Sequence, residues 1–396
     1  MNKHTPIHYY KKWGDGVKVF DGSSANSNAQ EAILEATKHW DGSFSPDILF
    51  VFHSTNQESY AVATGLSERF SDTTIVGCTT AGEWLAGEHK NGELVLLGIT
   101  TPDIKWGISI LENLDSSSVE EVKGVCSELL QKLNIELRDL NSEKHFCLSF
   151  FDGMSNQEEP IIAAMATELG GIPLLGGSAG DDLKFEGTYV IANGETYQNA
   201  AVFILAESNI PFRAIKHQHF TLGDMNVVIT KVNIKKRLVY HLDGMPAAQR
   251  YAQLLGLEVK DLSSQVFSNH PLMYPYGNEC YVRAIRQVAE GDALEFACAI
   301  EEGMVLNLCE HQNMLLEYDK FIAEFKQSMG KIKLLLVYNC IYRALEGKED
   351  DINQSLAEKN SPIADHIIGF DTYGEQWQGL HVNQSLVALA LGSKSE

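Results

Sequence analysis

Apolar positions along this chain gather in short dense runs separated by polar, glycine-punctuated stretches. DILFVFHS (47–54) is apolar without alternation, which predicts a strand covered on both faces. A mixed-pattern stretch after it predicts a helix, and TTIVGCTTAGEW (73–84) predicts a strand ending in a glycine turn. GELVLLGIT (92–100) predicts a further strand.

The same order returns twice. HFCLSFFDG (145–153), the helical QEEPIIAAMATELG (157–170), IPLLGGSAGDD (172–182) and NAAVFILAE (199–207) repeat it. Near the C-terminus LLLVYNC (334–340), an acidic helical segment, HIIGFDTYGEQW (366–377) and NQSLVALALG (383–392) repeat it again. In this register Gly82, Gly180 and Gly374 occupy equivalent turns, each followed by an acid: Glu83, Asp181 and Glu375.

The middle of the chain reads differently. FRAIKHQHF (212–220), MNVVITKVN (225–233) and RLVYHLDG (237–244) predict strands, MPAAQRYAQLLGL (245–257) a helix with proline in its first turn, and CYVRAIRQV, ALEFACAI and MVLNLCEH (280–311) a meander. ESNIPF (207–212) interrupts two strand-like runs and marks a boundary. The expectation is a mixed α/β (α+β) protein with mixed sheets: an N-terminal extension over 1–29, one domain over 30–210 and a second over 211–396.

Composition narrows the function classes. The net charge is −22, from 53 acids against 31 bases, with no Lys/Arg-rich run, so nucleic acid and anionic membrane are not expected partners. No apolar run approaches the roughly 18 residues of a spanning helix, and the first residues lack a signal-peptide core. Seven cysteines with no CxxC pair read as reduced thiols, which points to the cytoplasm. Self-association is left open.

Several of these stretches, in order, resemble the FIST sensory family, a bacterial intracellular signalling module with N-terminal and C-terminal FIST portions. They are VGCTTAGEW, LLGGSAGDD, VYHLDGMPAAQRYAQLLG, YVRAI, EGM, YNCIYRAL, and GFDTYGEQW followed by HVNQSLVALALG. The resemblance implies a two-domain, non-enzymatic sensor. One subset, the NosP-type chains, binds haem b, senses nitric oxide and acts on a partner histidine kinase in a two-component system. The absence of an appended output region in this chain favours a separate sensor of that kind. The alternative is a FIST module that binds an amino acid or another small polar ligand.

For the polar-ligand reading, the residues are Gly82, Glu83, Gly180, Asp181, Gly374 and Glu375: glycines let backbone amides face a ligand and the acids accept from a cation or amine. The plainer reading makes the glycines turn formers and has the acids cap a helix or face water. For haem, a single axial histidine in an apolar pocket suffices. Among thirteen histidines, His219 and His270 are favoured because Phe220, Phe267, Leu272, Met273 and Tyr274 neighbour them, and His381 is third. His217 and His219 share one strand face. Cys78 as a nucleophile and His53–Ser54 as hydrolase residues are weak readings, since no positioned base or GxSxG elbow accompanies them.

Overall fold

The computed structural model describes residues 17–277, 279–348 and 351–392; the first sixteen residues, part of the expected extension, lie outside them. Lys18–Ser24, in the remainder of that stretch, is an edge strand paired with Leu94–Thr100.

Three similar units make up most of the chain, each a strand–helix–strand–helix–strand–hairpin–strand succession. The first runs from Lys18 to Thr100 and the second from Ile104 to Ser208. The third begins with Phe212–His217 and resumes with the helix Met314–Ser328 and the strands Ile332–Cys340, Ala364–Thr372 and Leu386–Gly392. The expected division at 210/211 falls on the short passage between Ala201–Ser208 and Phe212–His217. Inside each unit two strands run parallel, Ile48–His53 with Thr74–Thr79, His145–Phe151 with Leu174–Ser178, and Ile332–Cys340 with Ala364–Thr372.

The units exchange hairpins in a ring. Glu83–Lys90 of the first completes the third unit's sheet, Val190–Tyr197 of the second completes the first, and Glu375–Val382 of the third completes the second. No unit therefore has a complete sheet by itself. The inner faces of the three sheets share one core, in which Phe52, Phe150 and Phe370 meet with ring centroids 4.7 to 6.1 Å apart. The outer faces are covered by helices, one apolar cluster per unit. Coverage on both faces is why the central strands are unbroken apolar runs.

One glycine position repeats for a steric reason. A Cβ at Gly77, Gly176 or Gly369 would overlap the carbonyl of the parallel neighbour, at Val51, Ser149 and Val337 respectively. Only hydrogen fits.

Residues between His217 and Met314 form an insertion within the third unit. Its sheet, from Phe220–Asn233 to Val305–His311, wraps its own core with the helices Ala247–Leu255 and Ser264–Asn269. FRAIKHQHF, read as one strand, is thus two: Phe212–His217 belongs to the ring of units and Phe220 opens the insertion. Entry and exit lie side by side, because the Gln312 amide donates to the His219 carbonyl at 3.0 Å. Among the described residues no helix is long and apolar enough to cross a membrane.

Candidate functional site

At one end of the ring the three parallel strand pairs converge. The amides of Ala81, Gly180 and Tyr373 donate to the carbonyls of Asp371, Thr79 and Ser178, each unit to the next. The step before is also cyclic: the amides of Thr79, Ser178 and Asp371 donate to the carbonyls of Tyr189, Gly374 and Gly82. These bonds fix the true register of the repeat. Gly82 and Gly374 are equivalent, both at φ 148°, but their counterpart in the second unit is Tyr189. Gly180 matches Ala81 and Tyr373 instead, so the predicted equivalence of three glycines holds for two. Residues 181–188 are an addition peculiar to the second unit, which the sequence hides because Gly180–Asp181 imitates Gly82–Glu83.

The three acids accordingly differ. Glu83 is fully buried, accepting from the Thr80 hydroxyl at 2.5 Å and the Glu93 amide at 3.0 Å. Glu375 repeats this with Thr372 at 2.5 Å and the Ser385 hydroxyl at 2.7 Å. Burial pushes Glu83 up to about 8 and Glu375 up to about 7. Both carboxyls tie hairpin to strand inside the fold, and neither caps a helix or faces water as the plainer reading had it. Asp181 is also buried; burial works against its charge, yet the Tyr373 hydroxyl and the amides of Phe185, Glu186 and Gly187 outweigh it and hold the carboxyl below its ordinary value.

Beside this convergence opens a cavity of about 490 Å³, lined among others by Ala81, His89, Asp182, Asp351, Asn353 and Asp371. Asp371, fully buried, accepts from Trp84 Nε1 at 2.9 Å and Asn339 Nδ2 at 2.8 Å, and pairs with His89 Nε2 at 2.7 Å. Burial works against a charged His89, but Asp371 more than offsets it and raises the ring's affinity for a proton. A Cβ on Gly82 would strike the Asp371 carboxylate, so glycine is required there. Asp182 titrates above its ordinary range, chiefly through burial and further through Asp181 and Asp371, although Lys184 and Ser54 oppose the shift. Asn353 is 6% exposed; its Nδ2 donates to the Ala344 carbonyl at 2.7 Å, which fixes the amide's orientation and leaves Oδ1 with no partner. The cavity is thus lined by three carboxylates, Asp182, Asp351 and Asp371, against His89 and Lys348, an excess that suits a cation.

A second cavity, of about 430 Å³, lies where the insertion joins the third unit, lined by Gln265, Asn269, His270, His311, Asn313 and Glu346 among others. His219 stands behind Glu346, pairing through Nε2 at 2.8 Å and accepting at Nδ1 from Arg343 at 2.8 Å. The favoured histidines therefore gather here, and His381 does not. It sits in the third unit's hairpin, 2% exposed, 3.4 Å from Gln376 through Nδ1 and unpartnered at Nε2.

These residues do not fit an axial histidine with apolar walls. Both nitrogens of His219 are occupied, Phe267 and Leu272 are spent in the insertion's own core, Phe220 and Met273 pack in a separate cluster, and the cavity beside His270 is lined by Gln265, Asn269, Asn313 and Glu346 as much as by apolar side chains. Cys78 is buried, its thiol pushed well up by burial, and His53 is buried and held down to about 4. Sequence reasoning did not single out Asp371, Asp182, His89, Asn353, His311 or Glu346. The clue for the last was an arginine and an acid inside the otherwise apolar IYRALE.

Known proteins place the chain. The FIST N domain family model matches residues 47–245 and the FIST C domain model residues 247–378. An uncharacterized protein of Methanocaldococcus jannaschii is 26% identical over 330 residues, covering 79% of this chain; the chain spans 62% of that relative's length. A crystal structure of cyanuric acid hydrolase from A. caulinodans aligns over 96% of this chain and 99% of its own, at 9% identity and a TM-score of 0.38. With both of its domain models matched in order along one chain, the protein belongs to the FIST family.

Proposed function

We propose that this FIST chain, a signalling sensor by family, binds a small polar molecule bearing a positive group, an amino acid or amine, in the cavity where the three units converge. The observation that carries the reading is the gathering of Asp182, Asp351 and Asp371 on one cavity that Asn353 also lines, an asparagine whose buried Oδ1 has no donor. An ammonium group supplies one positive charge and three donors to these carboxylates. Binding passes a signal only if two conformations differ in affinity for the ligand. The added segment 181–188 and the helix Ile341–Glu346 line or border this cavity from two units, so a ligand there bears on how those units sit together. The receiver in this reading is a partner protein, a histidine kinase being the class that the family resemblance implies.

The test is a thermal-shift panel of amino acids and simple amines, run beside haemin. A ligand at about 100 times its dissociation constant stabilises by about 2.7 kcal/mol, a rise of several degrees. The expected result is such a rise with at least one panel member, absent in Asp182→Asn. No rise with any of them, together with a Soret band on adding haemin, would overturn the reading in favour of haem and nitric oxide.

A further inference from the structure

We propose that a buried chain of polar side chains carries the state of the amine cavity to the root of the insertion, so that the insertion, held by two chain crossings, is the part that answers a ligand. The inference rests on the amine reading above and concerns the regulation of that same cavity.

Six contacts make the chain continuous. His89 Nε2, on the first cavity, pairs with Asp371 Oδ2 at 2.7 Å. Asp371 Oδ1 accepts from Asn339 Nδ2 at 2.8 Å, and Asn339 Oδ1 accepts from Arg343 Nε at 3.0 Å. Arg343 Nη1 donates to His219 Nδ1 at 2.8 Å, and His219 Nε2 meets Glu346 Oε1 at 2.8 Å. Glu346 Oε1 meets His311 Nε2 at 2.5 Å, on the second cavity. Arg343 sets the direction of the inner bonds, since it can only donate: Asn339 must accept at Oδ1 and give its amide protons to Asp371, and His219 must accept at Nδ1 and donate from Nε2 to Glu346. Asp371, Asn339, Arg343 and His219 are each at most 1% exposed, where such bonds are stronger than in water.

The repeat supplies an internal control. Asn339 and Asp371 are register partners on the parallel pair of the third unit, and the same positions hold His53 and Thr79 in the first unit and Phe151 and Ser178 in the second. Neither of those pairs contains a carboxylate, so the architecture does not require one. The polar chain belongs to the unit that carries the insertion, and it ends at the insertion's attachment. His219 precedes Phe220, which opens the insertion, His311 ends its closing strand, and the Gln312 amide ties the two crossings together.

Arg343 is the element with two states. Its one positive charge is divided between Asp371, reached through Asn339, and Glu346, reached through His219. Its Nη2 is buried without a partner, so the guanidinium keeps a donor to give to either end. A cation docked on Asp371 takes over the neutralisation of that carboxylate, and Arg343 then serves Glu346 and His219. The Glu346 charge is more fully met, and its hold on His311 weakens. A ligand that meets one placement of the arginine and not the other shifts the population between them.

The experiment follows the His311 ring by NMR in the full chain carrying isotope-labelled histidine, with His311→Ala to assign its signal. Ionisable groups near the ring include Glu346, His219 and His270, and all are kept in every variant compared. Asp371→Asn removes the charge that a bound ammonium group would neutralise. It is expected to lower the His311 titration midpoint by about half a pH unit, about threefold in proton affinity. With Asn339→Leu in both members of the pair, or Asn339→Ser where leucine does not fold, less than half of that fall is expected. A midpoint unmoved by Asp371→Asn, or a fall as large with the link cut as with it intact, would overturn the relay. Methylammonium at constant ionic strength separates this from the amine reading. A His311 response present in wild type and absent in Asp182→Asn supports the relay. An Asp371→Asn effect with no response to methylammonium keeps the relay and removes the amine, and a methylammonium thermal shift that leaves His311 unchanged overturns the relay alone.

Discussion

The first and third units finish their parallel strands with the same closed turn, Thr–x–Gly–Glu, whereas the second runs on through residues 181–188 before its hairpin begins. In the closed turns the acid faces inward and both oxygens find partners within the fold. In the open one Asp181 folds its own loop and Asp182 reaches the cavity. Repetition of a polar residue across units therefore marks structure, and the departure from it places a carboxylate on the cavity wall.

The sharpest way to break this contrast is at the glycines. Gly82→Ala and Gly374→Ala force a side chain into φ 148° and against Asp371 or His381. Each is expected to cost about 2–5 kcal/mol. Gly180→Ala meets the Ala81 methyl and amide nitrogen at 2.9 to 3.0 Å and the Thr80 carbonyl carbon at 3.2 Å, without left-handed strain, and is expected to cost about 1–3 kcal/mol. Denaturant titration of the three variants checks the order; equal losses would mean that the three turns are alike after all.

A smaller effect belongs to the acids. Glu83 and Glu375 titrate in the folded chain at about 8 and about 7, above the ordinary 4.5. A folded value above the unfolded one means that the native state holds the proton more tightly, so stability from these groups is complete below about 4.5 and is lost as pH rises through 7 and 8. The wild-type melting temperature is expected to fall between pH 5 and pH 8.5. In Glu83→Gln and Glu375→Gln, which keep the shape and remove the charge, that fall shrinks by roughly 1–3 kcal/mol. Melting curves across this window decide it: an unchanged pH slope in both variants would mean that the two carboxyls are ionised and solvated.

Much of the fold was legible in the apolar runs, because strands covered on both faces leave no room for alternation, and the triple order of elements was visible for the same reason. The hairpin exchange was not. EWL and EHK, or EQW and LHV, are three-residue strands, too short to declare a partner that lies in another unit. Nor was the insertion's point of entry, since Phe212–His217 and Phe220 are separated by only two polar positions and read as one strand. Of the candidate residues, His219 and His270 did fall near one cavity, while the glycine-acid turns lie at the end of the molecule where the other cavity opens, with Glu83, Asp181 and Glu375 bonded inside the fold. Asp182 was passed over for its neighbour because spacing alone does not tell which of two adjacent acids the loop consumes.

The central claim, an amine-binding cavity at the convergence of the units, is tested most directly by isothermal titration of the best thermal-shift ligand into wild type, Asp182→Asn and Asn353→Ala. The account predicts one site per chain and a loss of at least tenfold in affinity in each variant, about 1.4 kcal/mol or more, with the fold intact by circular dichroism. Binding of wild-type strength in both folded variants would contradict it.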